Sequence, residues 1–162
     1  MCPTAAPVPQ PRTFASPGET LSDIIGVLGR TGPLAAVYLR GRLDPGLRER
    51  VMVAVSRVNA CRGCTFVHER WALRSGVSSD ELAAIGISDH ATLDDRSRAA
   101  VLFATARAES HFRGPVPPEV AAYASSQLAP KELAAVEAVA RAMALANLSV
   151  STVAALRARV QR

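Results

Sequence analysis

Two cysteines and a histidine in the stretch Asn59 to Trp71, "NACRGCTFVHERW", are the residues of this chain best placed to do chemistry. Cys61 and Cys64 lie three residues apart, and His68 follows the second cysteine by four. If a helix begins near Cys61, then Cys64 and His68 share one of its faces, because residues four apart are neighbours on a helix surface. An imidazole beside a thiol can take up its proton, and the thiolate is the reactive species. The spacing therefore predicts a dithiol with a base beside it.

Metal binding is the first alternative for this cluster. A structural zinc site usually takes four ligands in two spaced pairs, and the cluster supplies three at most. The remaining candidate ligands have no paired spacing: Cys2, His90 and His111. We therefore predict no metal and no cofactor, although a three-ligand catalytic zinc stays open as an alternative. Thiol–disulfide chemistry fits better, because a helix N-terminus stabilises a thiolate.

The segment before the cysteines, "LRERVMVAVSRV", supplies a carboxylate at Glu49. Its apolar residues recur at a helical period, which favours a helix over a buried strand. If this helix and the next form an antiparallel hairpin that turns near Asn59 and Ala60, Glu49 falls level with position 70 and close to His68. A carboxylate beside an imidazole fixes its orientation and raises its basicity, as in an acid–base relay. The alternative is an exposed acid in the first turn of a helix, where acids are favoured.

These four residues together resemble the motif of the alkylhydroperoxidase D-like (AhpD-like) proteins of the carboxymuconolactone decarboxylase superfamily. The motif consists of Glu49, eleven residues, Cys61-Arg62-Gly63-Cys64, three residues and His68. The resemblance covers about residues 33–86 and includes "LDPGLRERVMVAVSRVNACRGCTFVHERWALRSGVSSDELAAI". It implies an all-α bundle that assembles into homo-oligomers, trimers or hexamers.

The activity implied by the resemblance is thiol-dependent reduction of hydroperoxides. Cys64 would be the peroxidatic thiol and Cys61 the resolving thiol, and Glu49 and His68 would form the proton relay. An external dithiol on a lipoyl-bearing or thioredoxin-like protein would reduce the resulting disulfide. Forming that disulfide quickly would also protect Cys64 from overoxidation.

Gly63 departs from the family pattern, because some members place a histidine there. This departure leaves a second class open, a redox-sensing or metal-binding module without peroxidase turnover. A lactone decarboxylase is a third alternative. The dithiol argues against it, because the decarboxylating branch of the superfamily does not rely on this Cys-x-x-Cys relay.

The rest of the chain predicts one compact all-α bundle of about seven to nine helices over residues 19–162, preceded by a flexible Pro/Ala-rich arm at residues 1–18. Capping patterns predict helix starts at Thr20, at Ser78 with Glu81, and at Thr92. Prolines in "VPPEV" and "APKEL" predict two further starts. The stretch Asn147 to Ser149 predicts a break between the last two helices.

Composition limits the remaining function classes. The 162 residues carry a net charge of +5, but the arginines are scattered and alternate with acids, so we predict no nucleic-acid binding. No apolar run approaches the length of a membrane span, and the N-terminus does not resemble a signal peptide. We therefore expect a cytoplasmic protein that does not bind membranes, in a compartment where thiols are kept reduced.

Overall fold

The computed structural model describes residues 9–85 and 92–161, and within these ranges it has eight helices and no strand. In chain order the helices are α1 (Pro17–Leu28), α2 (Thr31–Arg40), α3 (Pro45–Val58), α4 (Arg62–Arg74), α5 (Ser79–Ile85), α6 (Asp95–Glu109), α7 (Pro118–Gln127) and α8 (Pro130–Val160). The all-α prediction is confirmed, and the helix count for the described ranges lies within the predicted number.

Helix α3 lies at the centre of the bundle and packs against α4, α6 and α8. One of its sides joins a large apolar cluster with α6 and α8, to which it contributes Val51 and Val55. Its other side joins a smaller cluster with α4, α5 and α6 through Val53 and Ala54. The valine-rich sequence is therefore a helix that is buried on nearly all sides.

Two of the three capping patterns predict the wrong starting residue. Helix α1 begins before Thr20, because the Ser16 hydroxyl accepts a hydrogen bond from the Glu19 backbone N–H, at 3.2 Å. Helix α6 begins after Thr92, because the Asp94 carboxylate accepts a hydrogen bond from the Ser97 backbone N–H, at 2.9 Å. In both helices a nearby polar side chain accepts the unpaired backbone donors of the first turn.

The other predicted starts are confirmed. Ser78 and Glu81 form a capping box at α5, in which each side chain accepts the backbone N–H of the other, at 3.2 and 2.8 Å. Pro118 and Pro130 are the first residues of α7 and α8. A proline suits this position because its missing N–H would have no partner inside the helix.

The predicted break at Asn147 to Ser149 is wrong, since α8 continues through it without interruption. The Asn147 side chain is fully buried, where its Nδ2 donates to Ser56 Oγ and its Oδ1 accepts from Asn59 Nδ2, both at 3.3 Å. The Ser149 hydroxyl donates back to the Leu145 carbonyl at 2.7 Å. Both polar side chains have partners while the backbone stays helical, so neither ends the helix.

The part of the predicted N-terminal arm that the structure describes lies against the bundle. The Arg12 backbone N–H donates to the Asn59 carbonyl, and the Arg12 Nη1 donates to the Ala108 carbonyl, both at 3.0 Å. The Phe14 N–H donates to Thr152 Oγ1, also at 3.0 Å. These bonds tie residues 12–14 to the α3–α4 turn, α6 and α8. Residues 1–8, with Cys2, lie outside the described residues.

Helix α8 is the one helix in the described ranges that is long and apolar enough to cross a membrane, by length and composition alone. The expectation that no apolar run reaches this length was therefore wrong, because the predicted break would have divided the helix. The core helix of a soluble protein meets the same two criteria, and the first part of α8 contributes Val136, Val139 and Met143 to the large core cluster. These criteria are accordingly a weak indication of a membrane span.

Candidate active site

The turn between α3 and α4 places the first cysteine at the start of a helix. Ala60 adopts a left-handed backbone conformation with φ of 52°, and the Cys61 N–H donates to the Ser56 carbonyl at 3.0 Å. Cys61 is then the residue directly before α4, and no side chain caps this helix. The backbone N–H groups of the first turn of α4 consequently lie beside the cysteine pair.

Cys61 and Cys64 are joined as a disulfide, with their Cα atoms 5.3 Å apart. The two residues have different surroundings. Cys61 is buried, with 4% of its surface exposed. Cys64 is partly exposed and packs against the large core cluster. Thiol–disulfide chemistry requires a reduced state with two thiols and an oxidised state with a disulfide, and the structure shows the oxidised state.

Glu49 and His68 meet across the α3–α4 hairpin, as the sequence predicts. The His68 Nδ1 donates to Glu49 Oε2 at 2.8 Å. Glu49 is 4% exposed, so the alternative of an exposed first-turn acid does not hold. Because Nδ1 donates to the carboxylate, Nε2 carries the lone pair that can accept a proton. His68 follows Cys64 by four residues on α4, which puts the imidazole and the second thiol on one helix face.

Arg48 holds the other oxygen of the same carboxylate. Its Nε and Nη2 donate to Glu49 Oε1 at 3.1 and 3.0 Å. Each oxygen of Glu49 thus has a charged or polar partner, which offsets the cost of burying the carboxylate. Sequence reasoning missed Arg48 and had no signal for it, because consecutive residues on a helix do not normally face each other.

Tyr38 on α2 extends this cluster, because its ring lies 5.2 Å from the Arg48 guanidinium carbon. Burial raises the pKa of Tyr38 above its ordinary value of 10.0; the Arg48 charge opposes this shift, and Glu49 reinforces it. The phenol therefore stays protonated at neutral pH. The ring contact gives Arg48 a second partner besides the carboxylate.

Residues 33–106 match the sequence model of the carboxymuconolactone decarboxylase family. This segment of the chain belongs to that family. It contains the whole α3–α4 hairpin, and so includes Glu49, Cys61, Cys64 and His68. The family predicted from the spacing of these four residues is confirmed. No curated protein matches the chain significantly.

The metal alternative requires a cluster of ligands. In the described ranges, no group of three or more His, Cys, Asp or Glu side chains is arranged to hold a metal ion. His90, one of the candidate ligands considered from the sequence, lies outside these ranges, and His111 follows the end of α6 with φ of 52°. The sulfurs of the Cys-x-x-Cys pair in the family segment are bonded to each other. They could act as metal ligands only after reduction to thiolates.

Proposed function

We propose that this protein is a thiol-dependent peroxidase that reduces hydroperoxides through Cys64 and Cys61. The observation that carries the proposal is the hydrogen bond between buried Glu49 on α3 and His68 on α4, the helix that begins at the two cysteines. A hydrogen-bonded carboxylate and imidazole are the parts that a proton relay requires, and the partly exposed Cys64 lies one helical turn before the imidazole. Membership of the family segment supports the same assignment.

The first half of the cycle oxidises the dithiol. His68 accepts the proton of Cys64, and the thiolate attacks the terminal oxygen of the hydroperoxide. The S–O bond forms, the O–O bond breaks, and the alkoxide leaves as an alcohol after taking a proton. Cys64 is then a sulfenic acid. The Cys61 thiolate attacks its sulfur, hydroxide leaves as water, and the Cys61–Cys64 disulfide results.

The second half of the cycle needs two electrons from outside the chain. We propose an external dithiol as their source, carried on a lipoyl-bearing or thioredoxin-like protein. The dithiol becomes a disulfide as Cys61 and Cys64 return to thiols. We further propose that the protein acts in the cytoplasm, where such reductants are kept reduced.

We also propose that the chain assembles with copies of itself, as a trimer or a hexamer. Large apolar side chains stay more than half exposed on four of the helices, among them Leu21, Ile25 and Leu28 on α1, Leu39 on α2, Phe66 and Trp71 on α4, and Leu156 and Val160 on α8. Exposed apolar surface of this kind marks interaction sites. Light scattering tests the proposal, and a monomeric mass at micromolar concentration would contradict it.

Paired cysteine variants test the proposed activity. Turnover of an organic hydroperoxide with dithiothreitol as reductant should be abolished in Cys64→Ser, because this variant lacks the nucleophile. Cys61→Ser should consume about one equivalent of hydroperoxide and then stop, because the sulfenic acid has no intramolecular partner. Substitution of the exposed Ser149 by alanine provides a control that should retain turnover. Undiminished turnover in both cysteine variants would overturn the proposal.

Two alternatives can be separated by their products. The family to which residues 33–106 belong is named for a decarboxylase, and such an activity would release carbon dioxide from a lactone even when both cysteines are replaced by serine. The Gly63 departure supports a redox sensor, in which the disulfide would form with oxidants and change assembly without peroxidase turnover. Neither result is expected if Cys64 is a peroxidatic thiol.

A further inference from the structure

A groove of about 520 Å³ adjoins the disulfide on the Cys61 side. One wall is formed by Gln10, Pro11 and Thr13, the second is the turn at residues 61–63, and the third is the face of α8 that carries Ala154 and Ala155. Two of these three walls lie outside the segment that matches the family. The groove is therefore a feature of this chain that the family pattern does not assign.

The shape and charge of the groove favour a slender anionic group. Its α8 wall is formed largely by small apolar side chains, and only 4% of Cys61 is exposed, so the sulfur can be reached by a narrow chain and not by a broad protein surface. Arg62 lines the groove and is exposed, and none of its contacts in the described ranges is an ion pair. The uncapped first turn of α4 adds backbone N–H groups at the same place. An arginine and a helix N-terminus both stabilise a thiolate. In the groove they favour the thiolate form of a molecule that enters it.

The two sulfurs of the disulfide differ in how well each can leave. Cys64 lies on the helix face of His68, whose imidazole is held by Glu49. A protonated imidazole can donate its proton to a departing thiolate, and a sulfur that leaves as a better-stabilised thiolate leaves faster. Exposure alone would favour attack on Cys64, because Cys64 is the more exposed of the two. The relay and the groove both favour attack on Cys61 with Cys64 as the leaving group.

We propose that the groove is the entry site for the reductant, and that a slender dithiol attacks Cys61 there and expels Cys64. This inference rests on the proposed function only in requiring that the disulfide is recycled. The reductant thiolate forms a bond to Cys61 Sγ, the Cys61–Cys64 bond breaks, and its electron pair goes to Cys64, which takes a proton by way of His68. The second thiol of the reductant then attacks the reductant sulfur bound to Cys61. This step releases the Cys61 thiolate and leaves the reductant oxidised as a cyclic disulfide.

Trapping with a monothiol tests which sulfur is attacked. The protein is first oxidised with diamide, so that the result does not depend on any reaction with hydroperoxides. It is then exposed briefly to mercaptoethanol, quenched with N-ethylmaleimide and mapped by mass spectrometry at the earliest times, before the adduct can migrate between the cysteines. We expect the mercaptoethanol adduct on Cys61 and the maleimide on Cys64. The reverse distribution would overturn the proposal.

Filling the groove tests the entry route. Ala154→Leu places a larger side chain in the groove, whereas Ala158→Leu makes the same change at an exposed position of α8 that does not line it. We expect reduction of the diamide-formed disulfide by dithiothreitol to slow about tenfold in Ala154→Leu and to be unchanged in Ala158→Leu, a difference that corresponds to about 1.4 kcal/mol in the barrier. Equal rates in the two variants would show that the reductant enters elsewhere.

The two proposals can fail separately. If hydroperoxide does not oxidise the dithiol but the adduct still forms on Cys61, the peroxidase proposal fails and the entry site stands. If hydroperoxide turnover is normal but the adduct forms on Cys64, the entry site fails and the peroxidase proposal stands.

Discussion

At the scale of single residues, the site depends on one buried carboxylate that has partners on both oxygens. Glu49 accepts from His68 through Oε2 and from Arg48 through Oε1. The sequence predicts the first contact, because residues at equal distances from the turn of an antiparallel hairpin become neighbours. It does not predict the second, which depends on the rotamer of a long side chain next to Glu49 in the chain. The motif thus predicted the contact between the carboxylate and the imidazole, but not the arginine that completes the cluster.

Glu49→Gln should slow oxidation of Cys64 by an organic hydroperoxide about a hundredfold at neutral pH, because general acid–base assistance contributes at least this much. Stopped-flow measurement of thiol loss gives the rate. The deficit should narrow above about pH 9, where a thiol of ordinary acidity ionises without help. Glu109→Gln, at an exposed carboxylate on α6, is the matched control. A constant deficit at all pH values would indicate a structural role for Glu49.

Gly63→His should increase the rate of Cys64 oxidation relative to Gly63→Ala. A Cβ atom at position 63 would meet no other atom within 4 Å, so the site has room for a side chain. Both substitutions remove a flexible glycine from the first turn of α4, but histidine alone adds the imidazole that some members of the family carry at this position. The same thiol-loss assay compares the two variants. Equal rates would show that an imidazole at this position does not assist the reaction.

At the scale of secondary-structure elements, a buried polar network joins the cysteine turn to α8. Asn147 bonds to Asn59 at the turn and to Ser56 in α3, and the Ser56 hydroxyl donates to the Met52 carbonyl at 2.8 Å. These buried side chains pair with one another, as buried polar groups generally require. The network holds the end of α3 against the middle of α8, so the position of the turn that precedes Cys61 depends on a helix far away in sequence.

Asn147→Ala should lower the free energy of unfolding by about 2 kcal/mol, because it leaves the Asn59 amide without its acceptor in the core. Chemical denaturation measures the change. Ser149→Ala is the control, since the Ser149 hydroxyl is exposed and bonds only within its own helix; we expect a change within about 0.5 kcal/mol. Equal losses in the two variants would show that the buried network adds nothing to stability.

The separation in sequence between interacting residues explains which elements the sequence could predict. The capping box of Ser78 and Glu81 was predictable because both partners lie within four residues of each other, and the prolines that open α7 and α8 act at their own positions. Asn147 was interpreted as a helix break because its partners lie 88 and 91 residues away in sequence. Local sequence rules cannot detect a polar residue whose hydrogen bonds are satisfied by tertiary contacts.

At the scale of the whole molecule, ion pairs between helices connect the bundle. Glu137 on α8 accepts from Arg107 on α6 at 3.0 Å and from Arg141 at 2.8 Å, and its side chain is 13% exposed. Burial raises the pKa of Glu137, but the hydrogen bonds from Arg107 and Arg141 outweigh it, so the pKa lies below its ordinary value of 4.5. Hydrogen bonds also hold the pKa below its ordinary value, against the effect of burial, at three further carboxyls: Glu81, Asp94 and Glu132.

These lowered pKa values predict a loss of stability in acid. A carboxyl whose pKa is lower in the folded than in the unfolded state adds stability at neutral pH, and this stability is lost as the pH falls from about 5 through the folded pKa. Burial raises the pKa of Asp23, which opposes the trend at one position. Denaturation from pH 7 to pH 3 should show a falling free energy of unfolding, with a shallower fall in Glu137→Gln. The same pH dependence in both proteins would contradict the assignment to Glu137.

A thiol map of the reduced protein before and after a brief pulse of organic hydroperoxide is the most direct test of the central claim. Mass spectrometry of the alkylated peptides follows Cys61 and Cys64 together. We expect rapid formation of the Cys61–Cys64 disulfide, absent in Cys64→Ser and slowed in Glu49→Gln and in His68→Gln. If both thiols stay free, or oxidise no faster than an ordinary cysteine, the proposed peroxidase activity is contradicted.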